Sequence, residues 1–175
     1  LVNFLTKIQA NPNPAVIENL YEFLEFGKMP LTAGGDFLAY KAITRDWKDI
    51  YSGKFDNRIG QYVNMHRIDV DPDRTQTCSR GFHVCSFDYL PYFSHANGHV
   101  VICQVNPADV VAIPADYNNT KMRVAAYRVI DEHADYYKGK QNLLALQMVW
   151  EEEYAVLGRE EKDEGDWVLI ESGFE

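Results

Sequence analysis

The sequence predicts an α+β fold, in which a mixed or antiparallel sheet packs with two or three helices. One segment near the amino terminus has apolar residues at helical spacing. Several later segments are short, rich in β-branched residues and separated by turn-forming Gly, Pro, Asn and Asp. A chain that combines several strands with few helices is typical of the α+β class.

The length and composition bound the kind of protein. The chain has 175 residues, of which 46% are hydrophobic and 25% charged, as expected for one soluble domain with a proper core. No uncharged apolar run approaches the roughly 20 residues that a membrane span requires, and the composition excludes a disordered tail or a collagen-like fibre. Because the chain begins at Leu1 rather than Met, we expect residues 1–175 to be a single domain excised from a longer protein.

The first elements follow from periodicity and punctuation. Pro14–Glu25 is predicted to be a helix, since its first residue is a proline and its apolar residues recur every three or four positions. Gly27 is a natural stop. After the pair Gly34–Gly35, the segment Phe37–Ile43 is predicted to be a strand, with alternate residues facing opposite ways.

The middle of the chain is polar and rich in turns. Residues 46–74 are expected to form a long connection with one short strand near Tyr62–Met65. Apolar residues alternate with other residues over 82–85, which predicts a strand with Phe82 and Val84 on one face and His83 and Cys85 on the other. Ser86 can cap a short helix that follows and runs through Tyr92.

The remaining predicted strands are His99–Val105, Val110–Ile113, Met122–Ile130 and Trp167–Ile170. Asp116–Asn119 is a turn by composition. Leu143–Tyr154 could be a helix or a long strand.

The charge is unevenly distributed. The net charge is −9, and ten acids with two bases between Glu151 and Glu175 account for −8 of it, so residues 151–175 form an acidic C-terminal stretch. Between Arg74 and Arg128 the sign reverses, with five bases against three acids. An acidic chain is not expected to bind long nucleic acid, but a small anionic ligand fits a local basic pocket.

The densest polar segment is Cys78–Ser86. Arg80 and His83 flank a glycine that lets the backbone approach a partner, and this combination suits a phosphate. The alternative is a strand start with Gly81 in a turn and a histidine that serves only the structure.

A second polar segment is Asp116–Arg123. It offers Tyr117 for stacking, Asn118 for hydrogen bonding, and Lys121 or Arg123 for charge. A plain turn is the alternative.

Metal and nucleophilic chemistry have weak signals. Cys78, Cys85 and Cys103 lack the short ligand spacing of zinc sites and cannot form a closed disulfide set, so they fit a reducing compartment. A cysteine nucleophile paired with His83 lacks an orienting third group. The sequence has no phosphate loop, nucleophile elbow or dinucleotide fingerprint. We expect no metal, no cofactor and no catalytic residue.

The sequence resembles the RIIB family of tailed bacteriophages. The resemblance covers roughly residues 12–130 and rests on blocks in a single order: Leu20–Leu24, Phe37–Lys41, Ser52–Asn57, Cys78–Ser86, and Val105–Val111 continuing through Ile113–Asn119. Full-length members carry a further amino-terminal region that is similar to DNA-binding domains, in keeping with an excised domain here.

The resemblance implies an early phage protein of the host cytoplasm that acts against exclusion systems and influences lysis timing. It also implies some association with the inner membrane surface. The sequence has no amphipathic basic helix for that purpose, so a partner protein would mediate such association.

A weaker similarity is to ADP-ribosyltransferase-like domains. Tyr40–Lys41, Gly81–His83 and the pair Glu151 and Glu153 would be the counterparts of the family's motifs. Lys41 stands where such enzymes usually have arginine or histidine, and no Ser-Thr-Ser strand is visible.

Three functions therefore remain open. The leading one is a non-enzymatic counter-defence protein that sequesters a small nucleotide-derived signal. The alternatives are a module that docks RIIA or a host defence protein, and an ADP-ribosyltransferase-like enzyme. The residues expected to bind the ligand are Tyr40, Lys41, Arg80, His83, Tyr117, Asn118, Lys121 and Arg123.

Overall fold

The computed structural model describes residues 1–26, 28–92, 98–115 and 120–133. Two α-helices lie at the amino terminus, α1 (Val2–Gln9) and α2 (Pro14–Phe26). The strands are β1 (Phe37–Ile43), β2 (Tyr62–Asn64), β3 (Phe82–Cys85), β4 (His99–Val105), β5 (Val110–Ala112), β6 (Lys121–Val124) and β7 (Ala126–Glu132). Short 3-10 helices span Arg67–Asp69, Phe87–Tyr92 and Pro107–Asp109.

Within the described residues, the strands form one seven-stranded sheet in the order β2-β7-β4-β1-β3-β6-β5. Every pair of neighbours is antiparallel. The longest ladder joins β1 to β4, from Phe37 opposite Val105 to Ile43 opposite His99. The predicted α+β class is confirmed, and the sheet is antiparallel rather than mixed.

Most predicted elements are present within a residue or two of their expected bounds. The segment Phe87–Tyr92 is a short 3-10 helix, which suits the proline at position 91 because its ring would clash with the carbonyl four residues earlier in an α-helix. The sequence predicted one strand over Met122–Ile130, but the structure has two strands, β6 and β7, which are separated at Ala125. The backbone of Ala125 donates to Asp109 and accepts from Met65, so the chain changes partners there. Leu143–Tyr154, Trp167–Ile170 and the turn Asp116–Asn119 lie outside the described residues.

Helix α1 was not predicted from the sequence. It has only eight residues and buries just Phe4 and Ile8, while its other apolar side chains are exposed and blur the helical pattern. Its position depends on Gly35, whose φ is +82°. A methyl group on Gly35 would lie 2.4 Å from backbone atoms of Asn3 and Phe4, so glycine is required for this close approach.

The two faces of the sheet differ. We call the face that carries Phe37, Ala39 and Val101 the first face, because these residues share one apolar core with the buried side chains of α1 and α2. The opposite face, called the second face, carries Tyr40, His83, Cys85, Lys121 and Arg123.

The β5 edge of the sheet is covered by three side chains. Asn11 donates to the carbonyl of Val110 at 2.7 Å, Asn13 donates to that of Val111 at 3.0 Å, and Arg67 donates to that of Val110 at 2.8 Å. The guanidinium of Arg67 also donates a hydrogen bond to the side-chain oxygen of Asn11 at 3.0 Å. These bonds occupy carbonyls that an added strand would otherwise use.

We predict that Gly35→Ala destabilises the protein by about 2–4 kcal/mol, because the methyl group collides with the α1 backbone and the positive φ disfavours alanine. Gly34→Ala is the matched control, since the nearest atom to its methyl group is 3.8 Å away. Urea denaturation measures both. Equal midpoints for the two variants would show that α1 does not pack as described.

Candidate functional site

Four of the predicted ligand residues meet on the second face. Across β3 and β6, His83 lies opposite Arg123 and Cys85 lies opposite Lys121. Tyr40 of β1 lies opposite Cys85 on the other side of β3. Three neighbouring strands therefore bring Tyr40, His83, Lys121 and Arg123 into adjacent positions.

Lys41 joins this group from the other side of the sheet. Strands β1 and β3 share only the pair formed by Tyr40 and Cys85, and the Lys41 ammonium donates to the carbonyl of His83 at 2.8 Å. It also lies 5.7 Å from the ring centre of Tyr127. Burial lowers the pKa of Lys41, although the thiol of Cys103 and the carboxyl of Asp49 oppose that effect. We call Lys41, His83, Lys121 and Arg123 the cationic cluster.

Arg123 is fully buried and holds a loop. Its Nε donates to the carbonyl of Asp71 at 2.9 Å, its Nη1 to that of Gln76 at 2.6 Å, and its Nη2 to that of Asp73. Three backbone carbonyls therefore take the place of a carboxylate. The first task of this guanidinium is to fix residues 71–76 against β6.

Lys121 is also buried, with 2% of its surface exposed. Its ammonium lies 5.5 Å from the ring centre of Tyr89 and 3.9 Å from the sulfur of Cys78. Arg80 differs, because 71% of its side chain is exposed and it pairs with Asp69 at 3.2 Å. The structure thus does not bring Arg80 into the buried cluster. Tyr117 and Asn118 lie outside the described residues.

His83 lies at the centre of the cluster. Its Nε2 is buried and has no hydrogen-bond partner. Burial, with the nearby charges of Lys41, Lys121 and Arg123, lowers the pKa of His83 to about 3. The imidazole is therefore neutral at physiological pH, and its surroundings favour negative charge.

Burial makes the thiols of Cys85 and Cys103 unreactive, whereas Cys78, beside Lys121, is exposed. Cys85 is completely buried and donates to the carbonyl of Tyr40 at 3.5 Å. Burial raises the pKa of Cys85 far above its usual value and that of Cys103 to about 12. A thiolate of Cys85 or Cys103 paired with His83 is therefore disfavoured, and these two cysteines act as small apolar residues.

The sequence did not reveal the aromatic neighbours of Tyr40. His133 is buried, with its ring centre 6.0 Å from that of Tyr40 and 5.5 Å from that of Phe87. Burial raises the pKa of Tyr40 to about 12. His133 is 93 positions away from Tyr40, so no local spacing could have indicated the contact.

A separate open groove of about 700 Å³ lies beside the β5 edge, and its lining includes none of the predicted site residues that the structure describes. Its walls are mostly apolar and consist of Pro12, Asn13, Pro14, Arg67, Ile68, Val70, Pro72 and Val111.

The described part of the chain lacks two general features. No helix there combines the length and apolar character that a membrane crossing requires. Nor do these residues include any cluster of three or more His, Cys, Asp or Glu side chains placed to hold a metal ion.

Comparison with known proteins gives one consistent relationship. A family model described as Bacteriophage T4 protein rIIB matches residues 1–148. The curated Protein rIIB of Enterobacteria phage T4 is 40% identical over 135 residues, which cover 77% of this chain and 43% of that protein. The chain therefore spans less than half the length of this relative. No solved structure matches the chain, so the ADP-ribosyltransferase-like interpretation stays a prediction.

We predict that His83 makes stability depend on pH. Its pKa of about 3 in the folded state is below the value of 6.5 for a free histidine, so the unfolded chain binds the extra proton between these pH values. Stability is thus complete above about pH 6.5 and falls as the pH drops towards 3. Between pH 7 and 4.5, the protein should lose about 2–3 kcal/mol more than His83→Gln. Denaturant titrations at both pH values measure this, and identical losses in the two proteins would contradict it.

We also predict that Arg123→Lys costs about 2–4 kcal/mol, because an ammonium cannot reach three diverging carbonyls. Trypsin should then cleave after Arg74 faster than in the unaltered protein. Arg80→Lys is the control, since Arg80 is on the surface, and it should change neither the free energy of unfolding nor the cleavage rate. Equal cleavage after Arg74 in both variants would show that Arg123 does not hold the loop.

Proposed function

The chain belongs to the Bacteriophage T4 protein rIIB family, as its sequence motifs predicted, and from this premise we propose that it is a phage counter-defence protein. In this proposal it binds a small nucleotide-derived anion without converting it, and so blocks abortive infection or immune signalling by the host. Because the chain covers 43% of the length of its T4 relative, the proposal concerns this part of the protein.

The observation that carries the proposal is the cationic cluster around His83. Neither Lys41 nor Arg123 forms an ion pair with a described residue. Buried cations are normally paired with anions, because removing a charge from water is costly. An anion placed near His83 would lower that cost.

The contacts suggest how such an anion would be held. Lys121 can supply a charged donor, and the buried Nε2 of His83 can supply a neutral one if that nitrogen carries the proton. Arg123 already donates to three carbonyls and would act through its charge rather than by direct contact. The net charge of −9 disfavours the binding of a long polyanion, whereas a small anion would interact mainly with the charges of the cationic cluster.

Binding without turnover is favoured by the state of the groups at hand. The thiols of Cys85 and Cys103 stay protonated, and the amine of Lys41 is occupied by the carbonyl of His83. The carboxylates of Glu151 and Glu153, which a transferase would need, lie outside the described residues. Those two glutamates bear on neither alternative, and it is the state of the thiols and of Lys41 that leads us to place sequestration before an ADP-ribosyltransferase.

A second candidate is a module that docks RIIA or a host defence protein. The observation in its favour is the net charge of −8 between Glu151 and Glu175, a segment outside the described residues. Either function would operate in the host cytoplasm, and any place at the inner membrane would depend on a partner. This candidate requires no small ligand.

The test is depletion and release. We expect the purified chain to remove at least one of a panel of cyclic nucleotides and ADP-ribose derivatives from solution, and to release it unchanged on heating. Lys121→Met, which keeps the length of the side chain but removes its charge, should weaken binding at least tenfold. Lys54→Met is the matched control at an exposed lysine and should bind normally.

The other outcomes are equally informative. A chemically altered product would replace sequestration with catalysis. No depletion of any compound would remove the small-ligand proposal and leave the docking module. Because the Lys121 variant can lose stability, the nuclear magnetic resonance signal of His83 provides a second measurement: a bound anion should raise the pKa of His83 from about 3.

A further inference from the structure

The loop between β1 and β2 presents one aromatic side chain entirely to solvent. Tyr51 is 100% exposed, and the neighbouring residues through Lys54 are also exposed. A single exposed aromatic residue is common on protein surfaces and would mean little by itself. What distinguishes Tyr51 is the amount of buried structure that holds its loop in one conformation.

Asp49 organises the loop from inside. Its carboxylate accepts hydrogen bonds from the Ser52 amide at 2.7 Å, the Ser52 hydroxyl at 2.9 Å, the Lys54 amide at 3.0 Å and the Phe55 amide at 2.8 Å. Its own carbonyl accepts from the Gly53 amide at 2.9 Å. Burial alone would raise the pKa of Asp49, but these hydrogen bonds outweigh it and lower the pKa. One carboxylate thus fixes both sides of the turn that carries Tyr51.

The base of the loop is anchored in the core of the first face. Asn57 is fully buried; its side-chain oxygen accepts from the hydroxyl of Tyr127, and its backbone N–H donates to the carbonyl of Trp47 at 2.7 Å. Phe55 meets Phe82 edge to face, with ring centres 4.8 Å apart. The loop therefore cannot move without disturbing the core.

The other end of the loop contains an unusual backbone conformation. Trp47 has a φ of +60°, which is rare for a bulky residue, and its ring stacks on His99 at 4.0 Å. His99 also contacts Glu132 at 2.6 Å and the carbonyl of Arg45 at 3.2 Å. Strained conformations persist where the surroundings hold them, and they concentrate at functional sites.

We propose that Tyr51 is the anchor of a protein–protein contact, and that the partner offers an apolar pocket for the ring, rimmed by carboxylates. Tyrosine suits this role because it brings a large contact area and few rotatable bonds. A loop already fixed in the free protein loses little further freedom on binding.

The charge around Tyr51 identifies the rim. Arg45 and Lys54 are exposed and Lys48 is half-buried, and none of the three forms an ion pair with a described residue. Asp49 turns its carboxylate inward, which leaves Asp46 as the exposed acid of this stretch. The loop thus presents a positive surface on an acidic chain, which is complementary to carboxylates on the partner.

The first step of the test is site-specific crosslinking in infected cells. The full-length protein carries a photoreactive phenylalanine analogue at position 51, and a second version carries it at Tyr21, an exposed tyrosine of α2. We expect one discrete protein adduct that forms from position 51 and not from position 21. The same adducts at both positions, no adduct, or an adduct to a second copy of the chain would overturn the proposal.

The second step uses the identified partner in purified form. Tyr51→Ser should weaken its binding at least about thirtyfold and Tyr51→Phe less than about threefold, because the ring supplies most of the contact. Lys54→Glu should weaken binding more at low salt than at high salt. Unchanged affinity of Tyr51→Ser, or a crosslinked site on the partner without an apolar pocket and carboxylates, would refute the proposal.

Two controls separate this result from failure of folding or of the ligand proposal. Because the side chain of Tyr51 is wholly exposed, Tyr51→Ser should melt within about 2 °C of the unaltered protein. It should also bind the small anion normally, since Tyr51 is not part of the cationic cluster. Loss of partner binding with retained ligand binding therefore concerns the loop alone.

Discussion

Arg123 lies on β6, next to the edge strand, without contact with solvent, and three backbone carbonyls of residues 71–76 converge on its guanidinium and satisfy its donors. Much of the second face depends on this arrangement. The loop that the guanidinium holds leads directly into β3, which carries His83 and Cys85. Lys41 uses the same solution, since its ammonium donates to the carbonyl of His83. The protein therefore satisfies the donors of these two buried cations with backbone carbonyls rather than with ion-paired carboxylates.

Because these cations are held by backbone carbonyls and not by ion-paired carboxylates, the same residues can stabilise the fold and still be candidates for binding an anion. Carbonyl dipoles satisfy the donors of Arg123, and its charge also helps to lower the pKa values of the nearby carboxyls of Asp71 and Asp73. Burial and the charges of the neighbouring cations lower the pKa of His83, so its imidazole is neutral at physiological pH. The Tyr51 loop is organised in the opposite way, by a carboxylate that receives backbone and hydroxyl donors. The cationic cluster thus keeps charged side chains in the interior, whereas the Tyr51 loop keeps an aromatic ring exposed to solvent.

The sequence could predict what depends on local pattern. Alternation along Phe37–Ile43 placed Tyr40 and Lys41 on opposite faces, and the same rule placed His83 with Cys85, as the structure has them. It could not predict that Ala125 interrupts a β-branched run, because the interruption comes from backbone bonds to Asp109 and Met65. Nor could it separate Arg80 from Arg123. Both are arginines in one basic stretch, and only the path of residues 71–76 decides that one is buried and the other is on the surface.

The covered edge of β5 has a consequence for how the chain is made. Asn11 and Asn13 precede the carbonyls they bond by almost a hundred residues, so during synthesis from the amino terminus they leave the ribosome long before β5 does. Arg67 also emerges earlier. The side chains of Asn11, Asn13 and Arg67 have therefore already been synthesised when β5 leaves the ribosome, and the interval in which β5 could pair with a neighbouring nascent chain is short. The order of residues along the chain thus protects the protein at a stage before the sheet itself exists.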